Sequence, residues 1–200
     1  PRLLLLDEPL SMLDHNARAR MLDLLRAVHD EMGTATVHVT HDREEAWSLG
    51  GRCAVMNAGR LEGQGPVEAL FRRPERRFVA EFLGAGNLLE AAFEERDGRT
   101  FAVLEWASFE LAGPVDYPRG LLHVRPETLT VSGPEDAEAF RAEVLSVSDR
   151  GAYRELRARV PDGKILTCHV VGVEGRLPSP GTETFLRASE PPHPLRDDHA

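Results

Sequence analysis

Two carboxylates stand side by side where an apolar run ends. Leu3, Leu4, Leu5 and Leu6 lead straight into Asp7 and Glu8, and Pro9 stops the run. A short continuous apolar run fits a parallel strand covered on both faces. Open α/β sheets place their chemistry at the carboxyl ends of such strands. Successive side chains leave a strand in different directions, so the two acids need not share one role. One can hold a Mg²⁺, usually through water, while the other accepts a proton from an attacking water. Phosphoryl transfer needs both functions. The next strand ends in Thr40-His41-Asp42. Its histidine would stand beside the same site and donate a hydrogen bond to a phosphate oxygen. Taken singly, these features are weak: an Asp-Glu pair after leucines is equally a helix cap, and a lone histidine is more often structural. Their order along the chain is far more specific.

The elements that must hold these residues alternate. After the strand at residues 3–6, Asp14 is placed to cap a helix reaching Met32. Met21, Leu25, Val28 and Met32 fall at spacings of 4, 3 and 4, which is one helical face. Gly33 is placed to end that helix. Residues 35–39 read as a second strand, rich in β-branched side chains. A second helix follows to Leu49, with Asp42 as its cap and Glu45 at the third helical position. Residues 53–56 and 60–61 flank a turn at Asn57-Ala58-Gly59. A short helix is expected from Gly65-Pro66 to Arg72, then a break at Pro74 and a helix over 75–83. A βαβα order implies a parallel sheet flanked by helices.

Assembled in sequence, these pieces resemble the C-terminal half of the nucleotide-binding subunit of ABC transporters. "LLLLDEP" resembles the Walker B motif, "SMLD" the D-loop and "VTHDREEA" the switch histidine and the residues after it. The stretch "RCAVMNAGRLEGQGPVEALFRRPERRFVAEFLG" is similar to the region that closes the ATPase domain in importers. The resemblance spans residues 1–84 and implies a partial P-loop NTPase lobe of α/β class. It implies ATP and Mg²⁺ as cofactors. Asp7 would coordinate Mg²⁺ through water, Glu8 would be the general base, and His41 would contact the γ-phosphate. Ser11 and Asp14 would act across a homodimer interface. The implied function is ATP hydrolysis that powers uptake of a small solute. The implied partners are integral-membrane permease subunits and, indirectly, an external solute-binding protein. The implied location is the cytoplasmic face of the bacterial inner membrane.

Two departures stand out. Gly50-Gly51 occupies the place where the family often has Ala-Asp, which is expected to loosen that helix end. The chain contains no G-x-x-x-x-G-K-[ST], no LSGGQ and no Q-loop; Gly163-Lys164-Ile165 lacks both the upstream glycine and the Ser/Thr. The chain therefore reads as a piece of a larger ATPase, and alone it is expected neither to hydrolyse ATP nor to hold it tightly.

The texture changes near Gly84-Ala85-Gly86. Beyond it, short strands are expected at 121–125, 129–132, 140–148, 165–171 and 184–188, with hairpin-type turns at Asp97-Gly98 and Asp162-Gly163. Leu156, Ala158 and Val160 alternate with Glu155, Arg157 and Arg159, one face buried and one wet. Such punctuation suggests a small barrel or sandwich. Through "GAGNLLEA", "HVRPETLTV" and "EVLSVSDRGAYRELRARVPDG", residues 85–190 resemble the β-rich, OB-like TOBE regulatory domain of importers for molybdate, sulfate, polyamines, iron or sugars. Arg125-Pro126-Glu127 reads first as a turn. Residues 191–200 read as a disordered tail.

Composition sets the outer bounds. Hydrophobic residues at 42% and charged residues at 28% fit a globular chain. A net charge of -9 argues against a nucleic-acid partner, and with it against a RecA-like motor. Cys53 and Cys168 belong to no metal-type spacing and read as buried thiols. The competing function is a non-catalytic regulatory or anion-binding module that shares the fold.

Overall fold

The leucine run forms β1 (Leu3–Asp7), which pairs in parallel with β2 (Ala35–Val39), Leu3 opposite Ala35 and Asp7 opposite Val39. The structure is a computed structural model that describes residues 2–84, 86–171 and 177–196. The chain divides into two units, Pro1–Arg72 and Arg73–Ala200. Between β1 and β2 runs α1 (His15–Met32). Asp14 caps it as expected: its backbone is extended and its Oδ1 accepts the Ala17 N–H at 2.9 Å. Gly33 ends it at φ 57°, a left-handed conformation that costs glycine little.

Burial in this unit departs from expectation twice. Leu3 and Leu5 are 49% and 68% exposed, while Leu4 and Leu6 are half-buried. The described sheet here has only β1 and β2, so the face carrying Leu3, Leu5, Val37 and Val39 stays open. The buried stripe of α1 keeps Leu25 and Val28 as expected but carries Leu22 in place of Met21. Leu22 is buried with Leu25 and Val28 half-buried, whereas Met21 is exposed; the side chain of Met32 lies outside the described residues.

The remaining elements of the first unit are α2 (Arg43–Leu49), the hairpin of β3 (Arg52–Asn57) and β4 (Arg60–Pro66), and α3 (Val67–Arg72). Ala58 and Gly59 both take positive φ, which suits a two-residue hairpin turn. Pro66 pairs opposite Arg52 in the hairpin, so α3 starts at Val67 and not at Gly65-Pro66. Trp47 meets Phe71 edge-on at 5.1 Å and ties α2 to α3.

The second unit opens with α4 (Arg77–Leu83), shorter than expected because Arg76 is extended. It packs Ala80 against Leu121 and Leu195. Ten strands follow: β5 (Asn87–Arg96), β6 (Arg99–Val103), β7 (Ser108–Glu110), β8 (Arg119–Val124), β9 (Leu129–Ser132), β10 (Phe140–Asp149), β11 (Arg154–Arg159), β12 (Ile165–Val170), β13 (Glu183–Ala188) and β14 (His193–Leu195). They form two antiparallel five-stranded sheets, ordered β12-β11-β10-β13-β9 and β14-β8-β5-β6-β7. Among the described residues neither sheet closes on itself, so the expected small barrel is instead a pair of open sheets.

Both sheets contribute to one core, with Leu89, Phe93 and Leu122 from one and Val144, Leu156 and Leu186 from the other. Asn87, 2% exposed, stitches the sheets together. Its Nδ2 donates to Val124 O and Thr167 O, both at 2.9 Å, and its Oδ1 accepts the Thr167 N–H at 2.7 Å. Three partners satisfy an amide that would otherwise be costly to bury. Arg125-Pro126-Glu127 leads into a single 3₁₀ turn, Pro126–Thr128, and a Cβ on Gly86 would collide with Pro126. The expected disordered tail instead supplies β14, because Leu195 is 1% exposed and anchors it beside β8; residues 197–200 and Ala85 lie outside the described residues.

His123 gives the second unit a pH dependence. It is 3% exposed on β8, opposite His193 of β14 and Leu88 of β5. Burial, then the charges of His193 and Arg125, pushes its imidazole down to about 4, while Glu127 acts the other way. Burial and Arg73 likewise lower His193, against Glu75 and a backbone hydrogen bond at Pro74. The unfolded chain holds a proton on His123 below its ordinary value, and the folded chain does not. Stability is therefore full above about 6.5 and falls progressively toward pH 4. Amide protection in β8 should drop over that window in the parent chain. It should drop less in His123→Leu; an identical drop in both would count against this origin.

The cap on α1 makes a separate prediction. Asp14→Ala removes the acceptor for Ala17 N–H, which costs about 1 kcal/mol of helix stability, or roughly fivefold faster first-turn amide exchange. Unchanged exchange would mean that the cap contributes nothing.

Candidate active site

The parallel register carries Glu8 and His41 just past the ends of β1 and β2. Glu8 N–H donates to Val39 O at 2.9 Å and so extends the ladder by one residue. Its backbone then turns through φ 43°, uncommon for a residue with a side chain. The Glu8 carbonyl accepts from Ser11 N at 3.3 Å and Ser11 Oγ at 3.0 Å, which closes the turn. Leu10, 1% exposed, pins that turn to the unit. Burying one leucine stabilises by roughly 1.5–3 kcal/mol, enough to hold the strained residue beside it.

The outcome is a contact between groups far apart in sequence. His41 Nδ1 lies 3.1 Å from Glu8 Oε1, with the side chains 72% and 48% exposed. Asp7 is the last residue of β1 and, by strand alternation, shares the open face with Leu3 and Leu5. Asp7, Glu8 and His41 therefore gather at one end of the β1–β2 pair. Ser11 and Asp14 lie on the path from Glu8 to α1, and each has a local partner there, the Glu8 carbonyl and the Ala17 N–H.

The sequence did not disclose how α2 is secured. Asp42 Oδ1 accepts from Glu44 N at 2.8 Å and Glu45 N at 3.3 Å, as a cap should. Thr40 Oγ1, and not Glu45, takes the Asp42 N–H at 2.9 Å. Glu45 instead turns inward, 2% exposed, to His38 Nε2 at 3.3 Å and Arg18 Nε at 3.5 Å. Arg18 Nη1 also meets Asp42 Oδ2 at 2.7 Å. Arg18 is four residues past the Asp14 cap, on the inward side of α1.

The two remaining features fit a structural role. Gly50 and Gly51 both take positive φ beyond α2, a conformation that Ala-Asp would reach only with strain. Cys168 is fully buried, and burial pushes its thiol up to about 12; Cys53 is half-buried and raised for the same reason. Neither is poised as a thiolate. Among the described residues, no helix is long and apolar enough to cross a membrane.

Comparison with known proteins adds to this geometry. Residues 122–191 match the TOBE domain family. The chain is 37% identical over 172 residues to the spermidine/putrescine import ATP-binding protein PotA 1 of Pseudomonas aeruginosa, covering 84% of this chain and 46% of that protein. It is 43% identical over 166 residues to the sulfate/thiosulfate import ATP-binding protein CysA 2 of Chromobacterium violaceum, covering 82% and 44%. A PotA protein of Roseobacter denitrificans is 33% identical over 195 residues, covering 93% and 54%. The chain spans about half the length of these curated relatives. The TOBE match lies within the second unit, and the similarity to import ATP-binding proteins runs over most of the chain.

Proposed function

We propose that the chain is the C-terminal part of the ATP-hydrolysing subunit of an ABC importer. Residues 1–84 would carry the Walker B, D-loop and switch-histidine part of the ATPase, and residues 85–190 a TOBE-like regulatory domain. The observation that carries this reading is the Glu8–His41 contact of 3.1 Å at the carboxyl ends of two parallel strands, with Asp7 adjacent. Similarity to import ATP-binding proteins from three bacteria supports it.

The donor set suits Mg-ATP. Mg²⁺ keeps several waters and takes one or two carboxylates, so Asp7 alone can hold it through water. A bound nucleotide would supply the phosphoryl group for transfer to water. Glu8 accepts the proton of that water, and its half-exposed carboxylate is open to receive it. His41 presents Nδ1 to Glu8, which leaves Nε2 on the far side of the ring for a phosphate oxygen. With Glu8 as the carboxylate, Nδ1 must carry the proton that meets Oε1, and only a ring protonated on both nitrogens also donates from Nε2 to a phosphate oxygen. The proposed partners are a second copy, met through Ser11 and Asp14, and membrane permease subunits with an external solute-binding protein.

In the full-length subunit, Glu8→Gln keeps shape and removes the proton acceptor. It should abolish most turnover while ATP still binds. His41→Ala should lower kcat roughly 10²–10³-fold, about 3–4 kcal/mol, with little change in ATP affinity. Near-normal hydrolysis by Glu8→Gln would overturn the base assignment. A His41→Ala defect confined to ATP affinity would reduce His41 to a ground-state contact.

A further inference from the structure

We propose that Arg18 is a positioning residue that couples the turn bearing Ser11 and Asp14 to the segment bearing His41. This rests on the catalytic reading of Glu8 and His41.

One guanidinium reaches three residues on two other segments, the turn before α1 and the start of α2. Nη2 donates to Leu13 O at 3.4 Å, at the end of the turn that starts at Glu8. Nη1 meets Asp42 Oδ2 at 2.7 Å, on the residue next to His41. Nε faces Glu45 Oε1 at 3.5 Å, on the first turns of α2. Glu45 in turn contacts His38, three residues before His41 on β2. The segment 38–45 is thus held from both sides of His41, and each hold passes through Arg18 or its direct partner. Arg18 itself sits on α1, one turn after its Asp14 cap.

Charge and shape both argue for arginine. Asp42 and Glu45 place two carboxylates around one cation, and Glu45 is almost wholly buried. Losing the cation leaves an uncompensated buried charge. A lysine would restore charge, but a single ammonium cannot reach Leu13 O and Asp42 Oδ2 as a planar fork does while also staying beside Glu45. Displacement of the 11–14 turn, for instance by a second copy, would therefore be transmitted to Asp42 and so to His41.

The test uses the full-length subunit, with Glu8→Gln as the reference for the site. Arg18→Lys should lower kcat roughly ten- to a hundredfold with KM for ATP unchanged, as expected from misplacing a catalytic group. Asp42→Asn keeps the cap oxygen and removes the ion pair, and it should give a similar loss. The double variant should be no worse than either single one, because both break one coupling. If Glu8→Gln abolishes hydrolysis while Arg18→Lys or Asp42→Asn keeps kcat within twofold, the coupling role is wrong. Additive losses would also overturn it. If Glu8→Gln itself leaves hydrolysis intact, the catalytic reading of the site fails instead.

Discussion

Glu8 and His41 lie 33 positions apart, and one parallel strand pairing closes that gap. The register fixes everything at this end of the first unit. Asp7 opposite Val39 sets Glu8 and His41 just beyond the last paired residues, with the Glu8 N–H making the final ladder bond to Val39 O. A slip of one residue would turn the leucines over and carry the carboxylates to the other face. Glu8 then adopts a left-handed backbone, held by hydrogen bonds at its N–H and its carbonyl. The strain sits where the proposed chemistry is.

Much of this was legible because local chemistry and tertiary role agree. Asp14, Gly33 and Asp42 are caps by residue type, and they cap helices in the structure. The leucine run, the β-branched run and Thr40-His41-Asp42 gave both strands and their ends. Glu45 stands at the third helical position as read, but a helix N-terminus offers a glutamate two partners, the cap backbone or the interior. Only the location of Arg18 and His38 in space decides between them. Leu3 and Leu5 show a different limit: apolar content reports what a strand could bury, not what lies over it.

The second unit shows the same limit at the level of architecture. Strand positions followed from alternation and turn residues, as Leu156 and Ala158 illustrate. Whether short strands close into a barrel depends on pairings that no local pattern specifies. Here β13 inserts between β10 and β9, and β14 returns to β8, giving two open sheets. Asn87 joins them through Thr167, eighty residues away. A buried asparagine in an apolar strand is visible in sequence, but its partner is not. His123 is similar, since only the structure places His193 directly opposite it.

The most direct measurement is a crystal structure of the full-length subunit carrying Glu8→Gln with Mg-ATP bound. We expect the His41 ring within hydrogen-bond distance of a γ-phosphate oxygen, and a water linking Asp7 to Mg²⁺. A His41 ring turned away from the phosphate, or a Mg²⁺ held without Asp7, would contradict the proposed site.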